Sequence, residues 1–209
     1  MKRQKNPRGR PPKEPEARRR QLLDSAIAVY LKKGFRSARV EDIVAHAATG
    51  KGTFYLHFKD KEAAFEAALE ELFAELIETL DWTRSKVSEA ESLQEVFRQE
   101  AERILGTLTR HRDVSLLLLR EGSSVSPRIE RKVTQFYWKQ IERAQETFAS
   151  AKKLGLLPTA LDERIAAICI LGSIEKAYYF WLQGKLEGDP IDTVQGALEF
   201  LSRGCGLEL

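Results

Sequence analysis

Residues 40–61, VEDIVAHAATGKGTFYLHFKDK, hold the side chains whose types and spacing point most directly to chemistry. Val40, Ile43, Val44 and Ala47 recur at i, i+3, i+4 and i+7, which puts one apolar stripe on a short helix. Ala48, Thr49 and Gly50 are too few for anything but a turn. A second short helix follows, with Phe54 and Phe58 on its inner side and Lys51, Thr53, Leu56 and His57 available elsewhere. Two short helices joined by a tight turn, with a third following at once, form a helix-turn-helix, whose second helix enters the DNA major groove. The expected chemistry is recognition of double-stranded DNA.

Charge along the chain agrees. The net charge of the 209 residues is only +3, yet residues 1–20 hold nine Lys/Arg and two Glu, so the remainder is net acidic. A basic arm on a mildly acidic body suits a protein that meets polyphosphate with one end. With 43% hydrophobic and 31% charged residues the chain reads as globular, without an apolar run long enough to span a membrane and without a secretory signal. Its two cysteines, Cys169 and Cys205, have no CxxC spacing, and Cys169 in its apolar run is expected to be a buried free thiol in a reducing cytoplasm. The three histidines, His46, His57 and His111, have no metal-ligand spacing, and no P-loop, GxSxG or dinucleotide fingerprint occurs. Neither enzyme activity, cofactor nor metal is expected. Glu66, Glu70, Glu71, Glu75 and Glu78 read as the solvated face of one helix.

The elements that must position these residues read as all-α, about nine helices and no sheet. Pro7, Pro11, Pro12, Pro15 and Gly9 keep the arm irregular to about Glu16. A helix then runs to Gly34, placed for a left-handed cap with Phe35 folding back beneath it. The short helices at about 40–47 and 51–58 follow, and Asp60 caps one from Lys61 to about Arg84. Another opens at Ser88 or Ser92 and reaches about Arg110, and a shorter apolar one ends near Gly122. Ser126-Pro127 and Asp189-Pro190 each pair an N-cap with Pro at the first helical position, starting helices to about Lys153 and to just before Gly204. Between them a helix over about Asp162–Lys185 is apolar over much of its circumference.

Residues 18–66, and GTFYLHFKDKE at 52–62 above all, with Gly34-Phe35 ahead of them, resemble the TetR/AcrR family of bacterial repressors. The resemblance implies an N-terminal helix-turn-helix DNA-binding head and a C-terminal helical ligand-binding and dimerisation body. The division expected is an arm at 1–15, a head at 16–62 and a body at 63–209. It also implies that Lys51, Gly52, Thr53, Tyr55, Leu56 and His57 lie on the recognition helix, with Arg39 and Thr49 adding to the DNA-binding set. Tyr55 and Thr53 would reach phosphates through their hydroxyls, and His57 a phosphate or a base edge. Lys61 would offer its ammonium and a free backbone N–H to the DNA backbone. Lys51 would read guanine O6 and N7, and Leu56 a thymine methyl group. The turn departs from the family pattern: Ala48 stands where Gly is usual, Thr49 at an apolar position, and Gly50 where Ser or Thr would cap. A left-handed Ala costs roughly 1 kcal/mol relative to Gly, so either the turn is looser or Thr49 serves as the cap.

In the arm, Pro7-Arg8-Gly9-Arg10-Pro11-Pro12-Lys13 resembles the AT-hook core. Gly9 would let the backbone lie at the floor of a narrow minor groove, with Arg8 and Arg10 extending along it in opposite directions. The alternative is a plain electrostatic tail on phosphate.

For the body, the resemblance implies a ligand pocket walled by Phe73, Leu76, Ile77, Leu80, Trp82, Phe97, Leu105, Leu116, Leu119, Phe136, Tyr137, Ile141 and Tyr178. Such a lining suits an apolar or amphipathic effector, fatty acyl or drug-like, with Arg103, Arg112, Arg120 or Arg128 available to an acidic headgroup. A homodimer would form through Ile168, Leu171, Ile174, Glu175, Tyr178, Trp181, Val194, Leu198 and Leu201, matching a palindromic operator. The function expected is a cytoplasmic, nucleoid-associated repressor released from its operator by that effector. Competing readings are an architectural DNA-binding protein without an effector, and a metabolite-binding dimer with degenerate DNA recognition.

Overall fold

The computed structural model describes residues 15–87, 93–122 and 125–204. Among these, nine helices and no strand make up the regular structure: α1 (Pro15–Lys33), α2 (Val40–His46), α3 (Lys51–His57), α4 (Lys61–Val87), α5 (Leu93–Arg110), α6 (Arg112–Glu121), α7 (Pro127–Lys153), α8 (Glu163–Leu182) and α9 (Pro190–Gly204). The expected arm and the Ser88 or Ser92 helix start lie outside the described residues.

Local chemistry accounts for most helix ends. Gly34 takes φ 76° and donates its N–H to Tyr30 O at 2.8 Å, closing α1. Ser126 Oγ accepts from Ile129 N at 3.3 Å, with Pro127 at the first helical position of α7. Asp162 Oδ1 accepts from Ile165 N at 2.9 Å to start α8. That helix stops at Leu182 rather than Lys185, because Gly184 N bonds Trp181 O at 2.9 Å and Lys185 N bonds Phe180 O at 3.0 Å, turning the chain back.

The chain divides into two compact units, one ending at Phe65 and the other beginning at Glu66. In the first, Leu22, Leu23, Ala26, Tyr30, Ile43, Phe54 and Phe65 are buried. Phe65 belongs here because its ring packs on Tyr30 (6.0 Å) and Phe35 (5.7 Å). The turn between α2 and α3 places Ala48 at φ 50°, and Thr49 N bonds Val44 O at 2.9 Å. Gln21 Nε2 on α1 donates to Ala47 O at 2.7 Å and pins this turn. The N-cap of α3 is Gly50, not Thr49, and it supplies no side-chain cap.

In the second unit α8 packs against α7 and α9. A core cluster around Val87, Val96, Phe148, Ala151, Leu157 and Ala167 joins α4, α5, α7 and α8. Across α4 and α7, Glu66 pairs with Arg128 and, at 2.9 Å, with Lys132, and Glu70 pairs with Lys132. Arg143 Nε lies 2.9 Å from Asp81. Glu75 accepts from Arg110 (2.7 Å) and meets the His111 ring (2.8 Å). The expected solvated acidic face is thus partly a set of cross-helix ion pairs. By length and composition α8 alone among the described helices is apolar enough to cross a membrane. Glu175 and Lys176 lie within it, and Ala166, Ala167, Ile174 and Tyr178 are buried in the protein.

Among the described residues, Ala48 is the one non-glycine residue at positive φ. Ala48→Gly is therefore expected to stabilise the protein by roughly 0.5–1 kcal/mol, and Gly50→Ser to add a few tenths of a kcal/mol through a new cap. Urea melts of the two variants against the parent check both values.

Candidate DNA-binding face and ligand cavity

Phe54 and Phe58 hold the inner side of α3, their rings 5.6 Å apart, and Arg19 lies over Phe58 at 5.5 Å. The outer side displays Lys51, Gly52, Tyr55 and Leu56, with Leu56 83% and Tyr55 56% exposed. Thr53 and His57 flank that face half-buried, Thr49 is half-buried in the turn, and Arg39 is exposed just before α2. The fold does not require Gly52, since no atom lies within 4 Å of where a Cβ would stand. Its bare backbone lets another surface come close. Burying Leu56 and Tyr55 requires such a surface from outside the chain.

Lys51 forms an ion pair with Glu41 on α2. The hydrogen bond and charge of Glu41 hold the ammonium above its usual range, and the same bond holds Glu41 below the usual carboxylate range. Both groups are exposed, so the pair contributes little to stability. Any other anion or acceptor brought to Lys51 would have to displace this carboxylate.

Lys61 is turned toward the chain itself. Its Nζ donates to Phe35 O at 2.7 Å, Arg36 O at 3.1 Å and Ala38 O at 2.8 Å, and lies 4.6 Å from the Phe35 ring centroid. Partial burial lowers its pKa. All three donors of the ammonium are used within the head, so the expected phosphate contact through Nζ does not fit this geometry. Arg8, Gly9 and Arg10 lie outside the described residues.

The second unit contains a cavity of about 450 Å³, within the range of small-molecule sites. Of the expected wall, Leu76, Leu80, Leu119, Phe136, Tyr137, Ile141 and Tyr178 line it. Phe73 stacks on Phe136 at 3.7 Å from behind. Phe97 lies in a narrow annex, and Leu105 is buried away from the wall. Ile77 and Leu116 are off the wall because Leu76 and Leu80, like Ser115 and Leu119, already occupy the i, i+4 positions that face it. Trp82 instead belongs to an open polar groove beside Arg103, whose guanidinium lies 4.1 Å from the Trp82 ring centroid.

Reading the sequence alone missed Ile104, Leu108, Ser115, Leu118, Val133 and Gln140 on the cavity wall. It also gave Ile168, Leu171, Ile174 and Glu175 to the dimer face; all four line the cavity together with Gly172, while Ile168 and Gly172 are exposed as well. The mid-helix carboxylate in ILGSIEKAYYFW was the available signal. Val194 (0% exposed), Ile174 and Tyr178 are buried within the single chain and offer no surface to a second subunit. Trp181 is half-buried and donates Nε1–H to Gly188 O at 2.9 Å. The side chains of Leu198 and Leu201 lie outside the described residues. What α8 leaves uncovered is a stripe of Ile165, Ile168, Cys169, Gly172, Lys176 and Phe180. Cys169 is therefore exposed, not buried, because it falls on this stripe.

Two tyrosines and two carboxyl groups supply most of the polarity near the cavity. Burial, with the Glu175 carboxylate nearby, raises the pKa of Tyr137. Tyr178 is 1% exposed; Thr109 and Arg112 lie near its hydroxyl, but no group meets it in hydrogen-bond geometry. In the annex, next to Leu80, Ile104, Leu171 and Ile174, lies the half-buried Glu100. Burial pushes its carboxyl up to about 7, against a favourable contact with Thr83.

Lys61→Met is expected to lower stability by roughly 1–3 kcal/mol and to weaken DNA binding at every salt concentration without changing the salt slope. A shallower slope, read by titration at several salt concentrations, would return the ammonium to the DNA. Glu100 is protonated in both folded and unfolded states below pH ~4.5 and ionised in both above about 7. Its raised folded pKa makes the protein lose stability as pH rises through that window. Glu100→Gln should match the parent near pH ~4.5 and exceed it by roughly 2–3 kcal/mol near pH ~8, measured by urea melts across that range.

The family model for bacterial regulatory proteins of the tetR family matches residues 22–68, which span most of α1, all of α2 and α3, and the start of α4. The Bacillus subtilis HTH-type transcriptional regulator YvdT is 31% identical over 134 residues, covering 63% of this chain and 67% of its own length. Among solved structures, Bacillus subtilis FadR in complex with stearoyl-CoA superposes with a TM-score of 0.72 at 19% identity, covering 88% of this chain and 98% of that one. SmeT, the repressor of the Stenotrophomonas maltophilia multidrug efflux pump SmeDEF, gives 0.74 at 21% identity, covering 91% and 93%. The helix-turn-helix, the all-helical body and these likenesses agree: the chain belongs to the TetR family of bacterial transcriptional regulators.

Proposed function

We propose that this regulator is a homodimeric repressor released from a palindromic operator by a small apolar or amphipathic molecule. The reading rests on one pairing within the chain. The outer face of α3 is exposed and chemically suited to DNA, and a separate cavity of about 450 Å³ is suited to a ligand. In this reading residues 16–62 form the DNA-binding head, 63–209 the ligand-binding and dimerisation body, and 1–15 a basic arm. The protein works at the nucleoid in the cytoplasm.

On DNA, Lys51 exchanges Glu41 for a guanine edge, Leu56 meets a thymine methyl group, and Tyr55, Thr53 and His57 fix the register. Arg39 and Thr49 add contacts at the rim of this face, and the bare Gly52 admits the duplex. At Lys61 only the backbone N–H at the start of α4 serves the phosphates. Arg8, Gly9 and Arg10 enter the minor groove where the flanks are A/T-rich.

The uncovered apolar stripe of α8, with Ile165, Ile168 and Phe180, supports pairing with a second copy. The effector binds the body more tightly when the two heads are spaced to misfit successive major grooves, and by linkage that preference weakens operator binding. Relatives of both kinds exist, one complexed with an acyl-CoA and one repressing a drug efflux pump. Both are compatible with a largely apolar cavity.

Selection of bound sites from random DNA with the full chain should recover a palindrome with A/T-rich flanks. Lys51→Ala should change the selected bases, and deleting residues 1–14 should reduce affinity most on A/T-rich flanks. Enrichment of A/T content alone would favour an architectural DNA-binding protein. Absence of any DNA affinity would leave a ligand-binding dimer with degenerate recognition.

A further inference from the structure

The charge lining the cavity and its annex is one-sided. Glu175 is the charged residue on its wall, and Glu100 lies in the annex beyond Leu80 and Ile104. No Lys or Arg lines either space among the described residues. The arginines expected to meet an acidic headgroup are elsewhere: Arg103 on the Trp82 ring, Arg128 on Glu66, Arg120 exposed, and Arg112 near the Tyr178 hydroxyl but off the wall.

A ligand covering Glu175 removes its carboxylate from water, which is costly unless a cation or a strong donor replaces the lost hydration. An anionic head placed there would bring like charges together in a medium of low dielectric. Tyr137 lies beside this carboxylate on the same wall. Tyr178, whose buried hydroxyl has no partner in hydrogen-bond geometry, is on the same wall. Phe136, Tyr137 and Tyr178 lie on the same wall, and aromatic rings attract a desolvated cation.

We propose that the effector is a lipophilic cation, its positive head paired with Glu175 and framed by Tyr137 and Tyr178, and its apolar body filling the cavity. The assignment rests on the effector reading above and narrows it, turning from fatty acyl anions to hydrophobic amines and quaternary ammonium compounds.

Calorimetric titration of the full chain with four probes below their micellar concentrations tests it: dodecyltrimethylammonium, dodecanol, dodecanoate and dodecanoyl-CoA. Each is paired with release of the selected operator DNA. The cation should bind at least tenfold tighter than dodecanol and should release DNA. Glu175→Gln should remove that advantage while leaving dodecanol affinity unchanged, and Glu175→Lys should reverse the order in favour of dodecanoate. If dodecanoate or dodecanoyl-CoA binds the parent as tightly as the cation and releases DNA, the charge assignment fails and the effector reading stands. If no probe binds or releases DNA, both fail.

Discussion

The head is organised around one ammonium group. Lys61, at the first turn of α4, donates to three carbonyls of the connection between α1 and α2. In return, the Tyr30 hydroxyl of α1 donates to the Lys61 carbonyl at 2.7 Å. That connection contains Gly34 in a left-handed conformation and ends where Arg39 N–H meets Asp42 Oδ2 at 3.0 Å to start α2. Carbonyls in such a segment have no helix partners, and a single charged group satisfies three of them. The placement of α2 follows from this anchor, and the placement of α3 follows from α2 through the Val44–Thr49 bond and the Gln21 contact. The strained Ala48 is tolerated because its neighbours are fixed on both sides.

Helix order and most helix ends were legible because their causes are local. Ser126-Pro127, Asp162 and Gly34 each act within four residues of the ends they define. The inner and outer faces of α3 were equally plain, since Phe54 and Phe58 are four apart and fix its rotation. The fate of a long flexible side chain was not legible. Lys61 is equally compatible with phosphate and with carbonyls 23 to 26 residues earlier, and only the folded chain decides. Such distant partners are set by packing, which periodicity does not encode.

The same distinction explains the body. Apolar residues all around α8 announced burial on more than one side, but not which side met the cavity, which met α7 and α9, and which stayed uncovered. Ile174 and Glu175 are neighbours in sequence, and both face the cavity. Ile165 and Cys169 occupy the uncovered stripe. Val194 on α9 is wholly buried. Composition fixes how much of a helix wants to leave water, and the neighbours decide where that surface goes. The carboxylate at Glu175 therefore gains its meaning from an enclosure built by residues scattered over four other helices.

Gly172 is set in the middle of α8, lies on the cavity wall, and has no atom within 4 Å of where a Cβ would stand. Alanine there would meet no obstruction, and within a helix it would be favoured by about 1 kcal/mol. This chain forgoes that stability and keeps the space. A lineage of such regulators could narrow or reshape its ligand range at this one codon without weakening its fold. Chemical selectivity and foldability can therefore diverge independently in the descendants of this protein.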